Sequence, residues 1–337
     1  MVVVVAASLV AWIVGRQKDD PVEVVEDFFA AIVDRDLDAA LGYIDPSGGG
    51  VPYGEEAAFL HPDAIGDGWR LLDAKLLDGL PASVEVTIGD SASDTTGVVE
   101  LRDDNAEGVW KMVHPFATVE PPTTAFTYFA ANGRRIDWHD LYRNTAPSRI
   151  DNRWALLPGR YSFYDGASTM DLAPGAEVSV PAPTVTLTPE ALATVQSATE
   201  AKLRDCATFA VAQPDNCPFG TRAVLVGDND DAALLAIRDV LWEFVEPPVL
   251  TVGGELAANA PLGLTVTVTD PGMIRLSATG DNAAGEVRFT AECAVDARFI
   301  RVSLPPDGVP QVLFTRETNG LGTPGQAADT CRYKGEA

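Results

Sequence analysis

The sequence predicts an α+β protein: an N-terminal membrane helix, then two duplicated units, each a helix or helical pair packed on an antiparallel curved sheet, with a β-rich connector between them. Three observations carry this expectation. The chain opens on an uncharged apolar run, "MVVVVAASLVAWIVG". Apolar residues recur at helical spacing behind capping residues after Asp20 and again after Thr188. Short β-branched runs divided by Gly, Asp and Asn follow each helical stretch, and W-x-[MF]-V-x-P occurs at Trp110 and again at Trp242, 132 residues further on. The expected boundaries are 1–18 for the membrane segment, 19–121 for the first α+β domain, 122–187 for the connector and 188–337 for the second α+β domain.

As a helix, Met1–Gly15 reaches about 22 Å, short of a hydrocarbon core of about 30 Å. It has no basic lead and no A-x-A cleavage site, so it does not read as a signal peptide. It reads as the outer two-thirds of a single membrane helix whose basic cytoplasmic start is missing. Arg16 and Lys18 lie after it, and the positive-inside rule taken literally would leave the body of the protein in the cytoplasm. The cysteines argue the other way.

Next comes a helical hairpin. Asp20 can cap, Pro21 suits the first helical position, and Val24, Val25, Phe28, Phe29 and Ile32 share one face. "DRDLD" breaks the helix, and Leu37, Ala40, Leu41 and Ile44 continue a second one up to Pro46. "DAIGDGWRLLDAKLLDGLP" is mixed, with room for a short helix. From Ser83 the pattern alternates as strands do, and Asn132–Gly133 marks a hairpin. Thr188 then caps a long helix with Pro189 in its first turn; Leu192, Val195, Ala198 and Leu203 mark its apolar side, and it delivers Cys206. Strand-like runs fill the rest, after an alanine-rich stretch from Asp231.

Four cysteines, Cys206, Cys217, Cys293 and Cys331, all lie in the second half. Ten residues separate the first two and thirty-seven the last two, too far apart for C-x₂₋₄-C zinc ligation, and His61, His114 and His139 are all in the other half. There is no C-x-x-C redox pair. An even count favours two disulfides, for which three connectivities exist. The sequential one, Cys206–Cys217 and Cys293–Cys331, is preferred: it staples a Pro-containing loop and ties the C-terminal tail to a strand. Disulfides imply an oxidising compartment.

The chain carries 49 acidic and 24 basic residues, a formal charge of −25, spread without blocks. Such a surface disfavours nucleic acid. Arg134–Arg135 is the only local basic cluster. No nucleophile elbow, H-E-x-x-H, P-loop or dinucleotide fingerprint is present. Asp34, Asp36 and Asp38 are spaced like the start of a calcium loop, but Ala39 stands where that loop needs glycine and Asp45 where it needs glutamate. His61, His114 and His139 (the last between Asp137 and Asp140) are candidate general bases, weighed against ordinary surface or hydrogen-bonded histidines. Trp110 and Trp242 are expected as core residues on equivalent strands.

The Pro21–Pro46 hairpin, with its "FF" and "DRDLDAAL", resembles the start of the DUF4878-like and NTF2-like (cystatin-like) domains of actinobacterial envelope proteins. "LLPGRYSF", "PTVTLTPEAL" and a helix ending in Asp-Cys before "CPFG" are similar to segments of membrane-anchored actinobacterial proteins. The likeness covers about half the chain, in patches. It implies an inner basic tail, one span and folded modules outside, and brings no catalytic residues; this sequence departs from it in lacking the basic tail. The expectation is a non-catalytic, envelope-anchored extracellular binding or scaffold protein, without metal or cofactor. Its partners would be the membrane, through the N-terminal helix, and a protein at the cell surface, but no nucleic acid. An NTF2-like pocket enzyme or small-ligand binder and an accessory subunit of a membrane complex are the rivals. A histidine beside a carboxylate in a deep pocket would favour the enzyme, and a broad apolar patch the partner protein.

Overall fold

Asp20 accepts a hydrogen bond from the Val22 N–H at 2.9 Å and Pro21 takes the first position of α1 (Pro21–Val33), whose Val24, Val25, Phe28, Phe29 and Ile32 are buried. The helix ends in a Schellman motif: the Arg35 N–H reaches the Ile32 carbonyl and the Asp36 N–H the Ala31 carbonyl, with Arg35 itself left-handed at φ 60°. Asp36 then caps α2 (Leu37–Gly42) through the Ala39 N–H at 3.0 Å. The computed structural model describes residues 20–47, 50–79, 81–104, 109–122, 124–137, 153–226, 232–256, 263–315 and 329–333. The expected membrane segment lies outside these residues; among the described residues no helix is long and apolar enough to cross a membrane.

The chain divides into two units, residues 1–122 with 128–183 and residues 123–127 with 184–337. In the first, β1 (Arg70–Leu77), β2 (Ala82–Gly89), β3 (Asp94–Asp104) and β4 (Val109–Val113) form an antiparallel meander. Val84, Val86 and Ile88 alternate along β2 and pack with α1, Val99, Leu101 and Met112. Then come β5 (Ala117–Glu120), β6 (Tyr128–Ala131), β7 (Arg134–Asp137), β8 (Trp154–Leu156), β9 (Gly159–Phe163), β10 (Ser168–Leu172) and β11 (Glu177–Ser179). They make a sheet in the order β10-β9-β6-β7 and a three-stranded sheet β11-β5-β8, with β11 parallel to β5. Phe129 is the hub of their core: its ring centroid lies 4.6 Å from that of Trp154, 5.3 Å from Phe59 and 5.5 Å from Phe163. Residues 128–183 of the expected connector thus belong with the first unit.

The second unit begins with α3 (Pro189–Cys206), capped by Thr188 through the Ala191 N–H at 3.2 Å. Its strands are β12 (Val224–Val226), β13 (Ala232–Glu246), β14 (Val249–Leu256), β15 (Leu264–Asp270), β16 (Met273–Asn282), β17 (Gly285–Cys293), β18 (Ile300–Ser303), β19 (Gln311–Phe314) and β20 (Cys331–Tyr333). β12-β13-β16-β17-β20 close into a barrel, with β20 parallel to β12 at Leu225–Arg332; β14-β15-β18-β19 form a separate antiparallel sheet. The long β13 shifts register between Leu235 and Arg238 and again between Arg238 and Leu241, where Ala236 and Asp239 are left-handed (φ 52° and 53°), and these bulges let it bend around the barrel. Residues 123–127 join this unit through a parallel bridge from Phe126 to Leu304.

This corrects the expected architecture. The described chain is mostly β, with three α-helices, and its halves are not copies of one helix-plus-sheet plan. The segment with room for a short helix starts in a 3₁₀ turn, Pro62–Ala64, but its longest part is β1, and the alanine-rich stretch runs into β13. Trp110 sits half-buried on the edge strand β4, whereas Trp242 is buried in mid-barrel and donates its indole N–H to the Val211 carbonyl at 2.9 Å. After Trp110 the strands β6 and β7 pair as a hairpin; after Trp242 the strands β15 and β16 enter different sheets. The shared W-x-[MF]-V-x-P records a strand that stops before a proline, which has no N–H to donate to a ladder, and says nothing about which sheet the strand joins.

Candidate functional site

The structure pairs Cys206 with Cys217 and Cys293 with Cys331, and no described cysteine is free. The first bridge holds the loop after α3 against the helix end. The second joins register partners on β17 and β20, the last seam of the barrel. Two such bridges mark a domain of an oxidising, extracytoplasmic compartment.

Five charged residues of the first unit, Arg35, Asp63, Asp67, Arg134 and Arg135, line an open cleft of about 710 Å³. Three segments build it. The end of α1 supplies Arg35, the turn after His61 supplies Asp63, Gly66 and Asp67, and the β6–β7 turn supplies Asn132 to Arg135. Ile65 is the apolar residue among them. Asn132 and Gly133 are both left-handed (φ 50° and 84°), the conformation that a two-residue hairpin turn requires. The Asn132 amide ties the β6–β7 turn to the segment after His61 and to β9: its Nδ2 donates to the Ala64 carbonyl at 2.8 Å and the Arg160 carbonyl at 3.0 Å, and its Oδ1 accepts from the Ser162 N–H at 2.7 Å. Gly66 is obligatory here, since a Cβ would stand 2.0 Å from the Arg160 carbonyl oxygen.

The three guanidinium groups are held differently. Arg35 Nη2 donates to Asp67 at 2.8 Å and Arg135 Nη2 to Asp165 at 2.8 Å. Arg134 donates its Nε to the Ala58 carbonyl at 3.0 Å, and it has no carboxylate partner among the described residues. Asp63 has no arginine partner among them either; its ionic neighbour is His61, 3.4 Å away. The lining therefore carries three cations and two carboxylates in a chain of formal charge −25. Arg35 also occupies the left-handed position that glycine favours at a helix end. A side chain that accepts this backbone cost, of about 1 kcal/mol, is in keeping with a functional wall.

Behind the cleft lies a structural ion cluster. Arg160 makes two parallel bonds to Asp171, from Nε at 2.7 Å and Nη2 at 2.8 Å, and reaches Asp90 at 2.5 Å from Nη1. Hydrogen bonds from Arg160 hold both carboxyls below the usual range, helped at Asp90 by the Ala92 and Ser93 N–H groups, and the two carboxylates raise the guanidinium in turn. The cluster ties β9 and β10 to the β2–β3 turn and fixes the strand from which Asn132 is held.

The sequence candidates are dispersed. His61 accepts the Asp63 N–H on Nδ1 and so caps a 3₁₀ turn; it adjoins the cleft through Asp63. His114 is exposed, at φ 49°, and His139 lies outside the described residues. Asp36 is a helix cap, and Asp45 is bound by Arg102 and Ser47. Sequence reasoning singled out Arg134–Arg135 and the Asn132–Gly133 turn but not Arg35, Asp63 or Asp67 as their partners. One signal was available: an arginine directly after a helix, at a place where glycine is usual. Comparison with protein-family models, with curated proteins and with solved structures finds no match to this chain, so the cleft is read on its own geometry.

Proposed function

We propose that this is a non-catalytic binding protein of the cell envelope, held at the membrane by its N-terminal apolar run, with its folded units outside and a small polar ligand in the cleft of the first unit. The observation that carries the reading is the convergence of Arg35, Arg134, Asp63 and Asp67 from separate segments on one open volume. That volume lies within the range of about 300–1,000 Å³ usual for small-ligand sites. The disulfides support the outward orientation.

Photocrosslinking on intact cells tests it. Asp67, whose side chain is 87% exposed, is replaced by a photoreactive residue, with Val309 on the second unit as the control position. Position 67 is expected to yield an adduct of small-molecule mass and position 309 none. Protease added to intact cells is expected to degrade both units. Adducts of protein mass, absence of any adduct at 67, or full protection from protease would overturn the proposal.

A further inference from the structure

Resting on that cleft being the binding site, we infer the chemical class of its ligand: a small zwitterion, with a carboxylate taken by Arg134 and an ammonium taken by Asp63. Arg134 is half-buried, is held in place through Nε, and keeps the Nη donors that suit a planar carboxylate in a forked geometry. It has no carboxylate among the described residues, although acids outnumber bases by two to one along the chain. Asp63 faces the converse situation, an exposed carboxylate without a guanidinium among the described residues. Arg35 and Arg135 have their charges balanced by Asp67 and Asp165, so each acts as a wall and not as a second unmet cation.

The same inventory argues against other ligands. A polyanion would meet Asp63 and Asp67 directly. A lipid or a large apolar compound would find Ile65 alone to bury against. A ligand with one charge of each sign meets both groups, Arg134 and Asp63. Peptides with free termini, or amino acids, have this chemistry.

Titration calorimetry with glycine, diglycine and triglycine, using N-acetyl-triglycine, triglycine amide, succinate and inorganic phosphate as controls, tests the inference. At least one uncapped glycine compound is expected to bind, and capping either end of triglycine is expected to weaken binding about tenfold through loss of one charge-assisted contact. The two walls are separated by a cycle. Arg134→Gln should weaken triglycine while leaving triglycine amide unchanged, and Asp63→Asn should weaken triglycine while leaving N-acetyl-triglycine unchanged. Retained binding of the matching capped peptide shows that each variant is folded. Equal affinity for capped and uncapped forms, tighter binding of succinate or phosphate, or no binding of any uncapped compound would overturn the zwitterion assignment. The crosslinking adduct at position 67 would survive each of these outcomes if the cleft binds something else.

Discussion

Replacing Cys293 and Cys331 together by alanine is expected to destabilise the second unit by about 4 kcal/mol, from the loop entropy released over a separation of 38 residues. The local structure explains why little else compensates. β20 is three residues long and is held by β17 on one side and by a single parallel partner pair to β12 on the other. Once the bridge is gone, thermal opening of this short strand exposes the edges of two barrel strands at once. Denaturant unfolding followed by fluorescence, with Trp242 buried in the barrel, measures the change. The Cys206–Cys217 bridge closes a separation of 11 residues, and its removal is expected to cost about 3 kcal/mol, less than the barrel seam. A loss below about 1 kcal/mol at the Cys293–Cys331 seam would mean that backbone pairing alone closes the barrel, because hydrogen bonds there would be contributing what the entropy term assigns to the bridge.

The second large effect belongs to Arg160. Arg160→Met is expected to lower the stability of the first unit by about 3 kcal/mol at neutral pH, since the Asp171 side chain, 8% exposed, is left as a buried charge without its partner. The pH dependence identifies the cause. In the native protein Arg160 holds the Asp171 and Asp90 carboxyls below their unfolded values. Their contribution is therefore complete above the unfolded carboxylate value of about 4 and is lost as pH falls through the lower folded values. In the Met variant the Ser93 hydroxyl is left to oppose the effect of burial on Asp171 without the arginine, so the carboxyl protonates more readily and the deficit should shrink between pH 6 and pH 3. Urea unfolding at several pH values decides it. A deficit that stays constant with pH would point to lost packing of the arginine stem, and Arg160→Met combined with Asp171→Asn should recover part of the neutral-pH loss only if the buried charge is the cause.

What the sequence made legible follows the range of the interactions. α1 and α3 were readable because the cap, the first-turn proline and the apolar stripe all sit within one stretch of chain. The β6–β7 hairpin was readable because Asn132–Gly133 dictates its turn. β1 was not: "RLLDAKLL" has leucines at spacings that suit a helix, and it is a strand because β2 pairs along nearly its whole length. The two tryptophan motifs looked alike because each ends a strand before a proline, yet one strand is an edge and the other the spine of a barrel. Barrel closure depends on β12 and β20 meeting across about a hundred residues of chain, which no local pattern encodes. Of the cleft, the Asn132–Gly133 turn and Arg134–Arg135 were visible; its remaining charges come from segments some seventy and a hundred residues earlier.

The excursion of residues 123–127 has a bearing on where the protein can be divided. Neither half is a contiguous stretch of gene. A fragment beginning at Thr184 lacks the segment that bridges to Leu304, and one ending at Pro183 carries that segment as an orphan. A single proteolytic nick between 183 and 184 should therefore leave two polypeptides that still co-elute on gel filtration without any covalent link, since both disulfides lie beyond the nick. Recombination that swaps one half for a foreign module would strand five residues on the wrong side of the joint. Such topology locks the two halves into inheritance as a pair.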